Sequence, residues 1–86
     1  EGGQGSISGY VLDFGGNPIE NAKVRLKRKN SAEKTVSDED GFFEFEDLAA
    51  GTYTVIVRKM GYKISRKTVK LKDDADIEIE IKMKRQ

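Results

Sequence analysis

The sequence predicts an all-β fold, a seven-stranded antiparallel Greek-key β-sandwich. Three observations predict it. Apolar side chains recur at every second position in separate short runs, a period that places them on one face of a strand. Clusters of Gly, Asn, Asp and Pro punctuate those runs, and such clusters turn the chain. The length of 86 residues accommodates one hydrophobic core and no more.

The elements follow in order. Ile7, Gly9 and Val11 share one face of the first strand, and Ser8, Tyr10 and Leu12 share the other. Asp13-Phe14-Gly15-Gly16-Asn17-Pro18 ends it, because Gly supplies positive φ and Pro a fixed φ. Ala22, Val24 and Leu26 then alternate with Lys23, Arg25 and Lys27. The polar turn Lys29–Ala32 leads to a short, weak strand from Glu33 to Ser37. Asp38-Glu39-Asp40-Gly41 reads as a hairpin turn. Phe43 and Phe45 alternate with Phe42, Glu44 and Glu46, and Leu48 closes that run.

After the turn Ala49-Ala50-Gly51, Tyr53, Val55 and Val57 alternate with Thr54, Ile56 and Arg58. Lys59–Tyr62 is a loop that carries an aromatic ring back toward the core. Lys67–Leu71 alternates again, and Asp73–Asp76 turns into Ile77, Ile79, Ile81 and Met83. Two sheets with one dry face each stack about 10 Å apart and bury both. The predicted dry set is Ile7, Val11, Ala22, Val24, Leu26, Phe43, Phe45, Leu48, Tyr53, Val55, Val57, Val69, Leu71, Ile77, Ile79 and Ile81. Residues 1–5 are expected to form a flexible linker, residues 6–83 the domain and residues 84–86 a frayed tail. The glycine-rich start is expected to mark a piece of a longer, secreted protein.

Composition removes whole classes of chemistry. No Cys is present, so no disulfide, thiolate nucleophile or Cys-ligated metal is available. No His is present either, which removes the commonest general base and transition-metal ligand. No apolar run has the length to span a membrane as a helix. The net charge of +1 lacks the excess a polyanion-binding tail needs.

The residues also carry a family likeness. Ile7-Ser8-Gly9-Tyr10-Val11, Gly16-Asn17-Pro18-Ile19 and Ala22-Lys23-Val24-Arg25-Leu26 resemble the opening of a carboxypeptidase regulatory-like domain. Val36–Phe45 with its Asp-Gly turn, Leu48, Gly51-Thr52-Tyr53-Thr54-Val55 and Gly61-Tyr62 continue the likeness. Asn21 departs from it, where the family commonly places Gly before Ala. The resemblance spans residues 6 to 83. It implies a transthyretin-like (prealbumin-like) β-sandwich without catalytic residues. Such domains sit beside metallocarboxypeptidase catalytic domains, at the N-termini of TonB-dependent receptors and as repeats in surface proteins.

Related folds that do carry chemistry fit poorly. Hydroxyisourate hydrolases need His residues and a Tyr-Arg-Gly-Ser end, both absent here. The isopeptide bond of collagen-adhesin B-type repeats needs an inward Lys facing an Asn. Lys23 and Lys27 lie on the wet register, and the last strand has no Asn.

Two acidic turns invite a calcium reading, because hard cations take clustered carboxylates. Counting an EF-hand loop from Asp38 puts Ala49 where the bidentate Glu belongs, so a polar hairpin turn is expected. Asp73-Asp74-Ala75-Asp76 reads the same way. A weak metal site would require the two turns to meet in space.

Charge is unevenly spread. Arg58–Lys72 holds seven bases and no acid, Lys23–Lys29 five bases, and Asp38–Asp47 six acids. The expectation is a solvated face whose cations pair across strands with Glu44, Glu46, Glu78 and Glu80. Phe42, Ile56 and Tyr10 lie opposite the dry set, either as an apolar partner patch or as scattered surface residues.

The functional expectation is a non-catalytic accessory module of a secreted or cell-envelope protein, acting as a spacer or interaction domain. A module binding carbohydrate or an anionic polymer is the alternative. No cofactor or metal is expected. Neighbouring domains or another protein are the expected partners, nucleic acid is not, and the isolated domain is expected to be monomeric. The candidate interaction surface is the loops carrying Phe14, Asn17, Asp38, Asp40, Lys59 and Lys63.

Overall fold

A computed structural model describes residues 4–86. The strands are β1 (Gln4–Asp13), β2 (Lys23–Arg28), β3 (Ser31–Val36), β4 (Phe42–Ala49), β5 (Gly51–Arg58), β6 (Ser65–Leu71) and β7 (Asp76–Met83). They form a three-stranded sheet of order β4-β1-β7 and a four-stranded sheet of order β3-β2-β5-β6. The all-β sandwich is therefore as expected. One pairing departs from an antiparallel arrangement: β1 and β7 run parallel, from Ser6↔Asp76 to Asp13↔Met83. No helix among the described residues is long and apolar enough to cross a membrane.

The core fills the seam between the sheets. Fourteen of the sixteen predicted dry residues are buried, while Ile77 and Ile79 on edge strand β7 are half-buried and pack against the cluster. Ile19 and Met83 join the core as well. Pairing holds Ile19 in place, since its N–H donates to the Val11 carbonyl at 2.9 Å and Pro18 bridges Leu12. Met83 is the last inward position of β7, beside Asp13.

Gly9 lets β1 and β7 approach closely within their sheet. Any Cβ there would overlap the Ile79 carbonyl oxygen and press on the Phe43 ring. A tyrosine corner braces the turn from β4 into β5. The buried Tyr53 hydroxyl donates to the Ala49 carbonyl at 2.6 Å, as such corners do in other sandwiches. Arg28 lies over the Tyr53 ring at 5.5 Å, close enough for a cation–π contact.

Near both ends, the described residues pair with neighbouring strands or loops. β1 already begins at Gln4, which pairs with Ala49, so Gln4 and Gly5 are strand and not linker. The rest of the expected linker, residues 1–3, lies outside the described residues. The expected frayed tail, residues 84–86, lies hydrogen-bonded along the β5–β6 connection. Lys63 N–H donates to the Lys84 carbonyl at 2.8 Å, and Gln86 N–H to the Gly61 carbonyl at 3.1 Å. Arg85 stacks over Tyr62 at 5.5 Å.

Candidate interaction surface

Strand direction gathers the candidate residues. β1, β3 and β5 run toward one pole of the sandwich, so the β1–β2, β3–β4 and β5–β6 connections all lie there. Those connections carry Phe14 and Asn17, Asp38 and Asp40, and Lys59 and Lys63. Contacts join the β1–β2 and β3–β4 connections. Val11 N–H donates to the Gly41 carbonyl at 2.7 Å. A Cβ on Gly41, which has φ of +78°, would crowd both Val11 and Pro18.

Two aspartates shape these loops from within. Asp13 Oδ1 accepts from the backbone N–H groups of Gly15 at 2.8 Å and Asn17 at 2.9 Å. The Asn17 N–H leads the influences that hold the Asp13 carboxyl below its ordinary range. Asp38 Oδ1 accepts from Asp40 and Phe42 N–H, both at 2.9 Å. Asx-type bonding of this kind builds a turn, so Asp38 organises its own loop, but the expected hairpin is not formed, because β3 and β4 belong to different sheets and the turn crosses between them. The second acidic turn sits at the other pole, where Ser6 N–H meets the Ala75 carbonyl at the start of β1. The two turns therefore do not meet, and the described residues include no cluster of three acids able to hold a metal ion.

The tips of the loops are apolar. Phe14 is 67% exposed and Met60 94% exposed. Phe14 edges a hollow shared with Met83 and Arg85. Lys59, Met60, Tyr62 and Ile64 line another, beside Asn21 and Arg58. Sequence reading passed over Met60 and Ile64. Their signal was the apolar residues flanking Gly61-Tyr62, inside a loop already assigned to Tyr62.

Charge divides between the two outer faces. On the three-stranded sheet the outward positions include Glu44, Asp76, Glu78 and Glu80. Burial and the neighbouring Glu46 and Asp76 raise the Glu44 carboxyl above its usual range. On the four-stranded sheet, Lys34, Arg25, Ile56 and Arg66 form one row across all four strands. Val36, Lys23 and Arg58 form the next row. The expected pairing of these cations with Glu44, Glu46, Glu78 and Glu80 is thus overturned. Those glutamates belong to β4 and β7, in the other sheet. Alternation shows which way a side chain points but not which sheet its strand joins.

The apolar trio separates likewise. Tyr10 and Phe42 face each other on the acidic side, ring centroids 5.3 Å apart, whereas Ile56 lies at the centre of the basic side. Lys23 and Lys27 are exposed on that basic face, away from the inward position that an isopeptide bond requires.

Comparison with known proteins places this architecture. The TIE protein of Bacillus anthracis superposes with a TM-score of 0.85 at 21% identity, covering 96% of this chain and 17% of that one. The pilus 2b backbone protein of group B streptococcus gives 0.78 at 18% identity, covering 94% and 41%. Hydroxyquinol 1,2-dioxygenase of Pseudomonas putida DLL-E4 gives 0.83 at 11% identity, covering 100% and 58%. At such identities the likeness is one of fold alone. In sequence, the chain is 33% identical over 70 residues to structural protein 27 of a virus (isolate Australia/Victoria), spanning 81% of this chain but 13% of that protein. Residues 6–84 match the carboxypeptidase regulatory-like domain family, and the chain belongs to that family.

Proposed function

We propose that this chain is a non-catalytic structural module of a larger extracellular or cell-envelope protein, a rigid spacer that also presents its loop pole to neighbouring domains. The observation that carries this reading is the parallel pairing of β1 with β7. An antiparallel pair would bring the two ends of the domain together. A parallel pair separates them, with Gln4 at one pole and Met83 at the other. The ten residues of β1 alone span about 30 Å at strand rise. Tension applied through the two ends loads the β1–β7 ladder in shear, so its hydrogen bonds resist together and not one at a time. β1 is also the central strand of its sheet, bonded to β4 on its other side.

The non-catalytic part of the reading rests on the residue inventory, which has neither His nor Cys to pair with a nucleophile. The extracellular part draws on the pilus backbone protein among the structures of similar fold. Neighbouring domains are the partners, meeting the exposed Phe14 and Met60 tips. The isolated domain is a monomer.

A tandem array of three copies tests the spacer. Its scattering profile should lengthen by roughly the long dimension of 42 Å per copy. Pulling the array should unfold each copy in one cooperative event. A compact array, or copies that peel apart strand by strand, would defeat the reading.

A further inference from the structure

The basic face holds a juxtaposition that the spacer role does not use. Lys23, Arg25, Lys34, Arg58 and Arg66 surround Ile56 in a hollow of about 470 Å³ whose lining contains no acid. Two of its cross-strand pairs are like-charged. Arg25 lies directly opposite Lys34, and Lys23 directly opposite Arg58. Such pairs are destabilising. Exchanging one member of each for an acid would relieve the repulsion without touching the core, since all four side chains are exposed. The acids that could have done so, Glu44, Glu78 and Glu80, project from the opposite face of the sandwich.

We infer that this face binds an anionic polysaccharide, whose acidic groups neutralise the opposed cations. The lining chooses among polyanions. No aromatic ring lines the hollow, so nothing stacks with the bases of a single-stranded nucleic acid. Ile56 is its central apolar group, with Val36 at one side. Protein interfaces instead rely on large buried anchors and are depleted in lysine. Thr54 and Thr68 continue the face beside Lys27. Their hydroxyls suit a ligand rich in hydroxyl groups. Along β2 the cations recur at every second residue, about 6.6 Å apart.

Fluorescence anisotropy tests the inference, with labelled heparin fragments and polygalacturonate as the acidic glycans. Neutral dextran, a single-stranded oligonucleotide and phosphatidylglycerol vesicles serve as competitors. Both acidic glycans should bind, and affinity should fall about tenfold or more between about 50 mM and 200 mM salt as counterions are released. The double variant Arg25→Glu, Arg58→Glu should bind about tenfold or more weakly, while its Tm at low salt should match or exceed that of the parent. That opposite movement separates loss of a site from loss of the fold. Glu78→Lys, on the far face, should leave binding within about twofold. Failure of the parent to bind either glycan, undiminished binding by the double variant, or tighter binding of the oligonucleotide or vesicles would each overturn the inference.

Discussion

The Ser37 hydroxyl donates to the Ile19 carbonyl at 2.6 Å and accepts the Ala22 N–H at 2.9 Å. Two backbone bonds, Ser37 N–H to Ala22 carbonyl and Asn21 N–H to Ser37 carbonyl, flank it. One fully buried side chain therefore pins the loop before β2 to the end of β3. Ser37→Ala leaves a buried acceptor and a buried donor without this partner, an expected loss of about 1–3 kcal/mol. Urea unfolding should show a lower midpoint with an unchanged slope. A variant within about 0.5 kcal/mol of the parent would mean the hydroxyl contributes nothing to stability.

The sequence could show Ser37 only as the polar end of a weak strand, because its partners lie 15 and 18 positions away. Local patterning was more informative. Val24, Leu26, Val55 and Val57 are buried as their alternation requires. The Asp38 turn was legible because its hydrogen bonds close within four residues. What stayed hidden depends on which strand neighbours which. The parallel β1–β7 pair, the half-exposed Ile77 and Ile79 at a sheet edge, and the segregation of Glu44 from Arg25 all follow from sheet order. The candidate loops were identified one at a time. Their meeting at a single pole follows from strand direction, and the basic hollow needed registry between four strands.

Gly9 should tolerate no side chain. It stands between Phe43 on β4 and Ile79 on β7, and an added methyl would meet backbone oxygen, which cannot swing aside. Gly9→Ala is expected to destabilise by at least about 1–3 kcal/mol, the range of overpacked cores. Gly15→Ala is the comparison, because its neighbours at 3.3 Å are side-chain atoms of Asp13 and Asn17 on an exposed loop. It should cost about 0.5 kcal/mol or less. Equal Tm values for the two variants would contradict the close approach of β1 and β7.

Asp13 should make the loop pole sensitive to acid. Its folded carboxyl titrates below the ordinary value, chiefly through the Asn17 N–H. A depressed carboxylate adds stability above its unfolded pKa and loses it as pH falls through the folded value. Asp13→Ala should therefore lower Tm at neutral pH, with the deficit shrinking from about pH 5 to about pH 2. Backbone amide shifts of Gly15 and Asn17 should report the same titration in the parent. A deficit that is constant across that range would show that the charge is not what holds the turn.

Glu44 should behave with the opposite sign. Desolvation raises its carboxyl, and Glu46 and Asp76 add to the shift. A raised carboxyl stabilises the fold below its unfolded pKa, and that contribution is lost as pH rises through the folded value. At neutral pH the ionised group thus stands among like charges that it would be better without. Glu44→Gln imitates the protonated form and keeps the shape of the side chain. Its Tm should exceed that of the parent by a few degrees at most at neutral pH, and the two should converge below about pH 4. Added salt should narrow the neutral-pH gap, since the repulsion is exposed to screening. A Gln variant less stable than the parent at neutral pH would mean that Glu44 has a favourable partner, and that the acidic face is not a region of net repulsion.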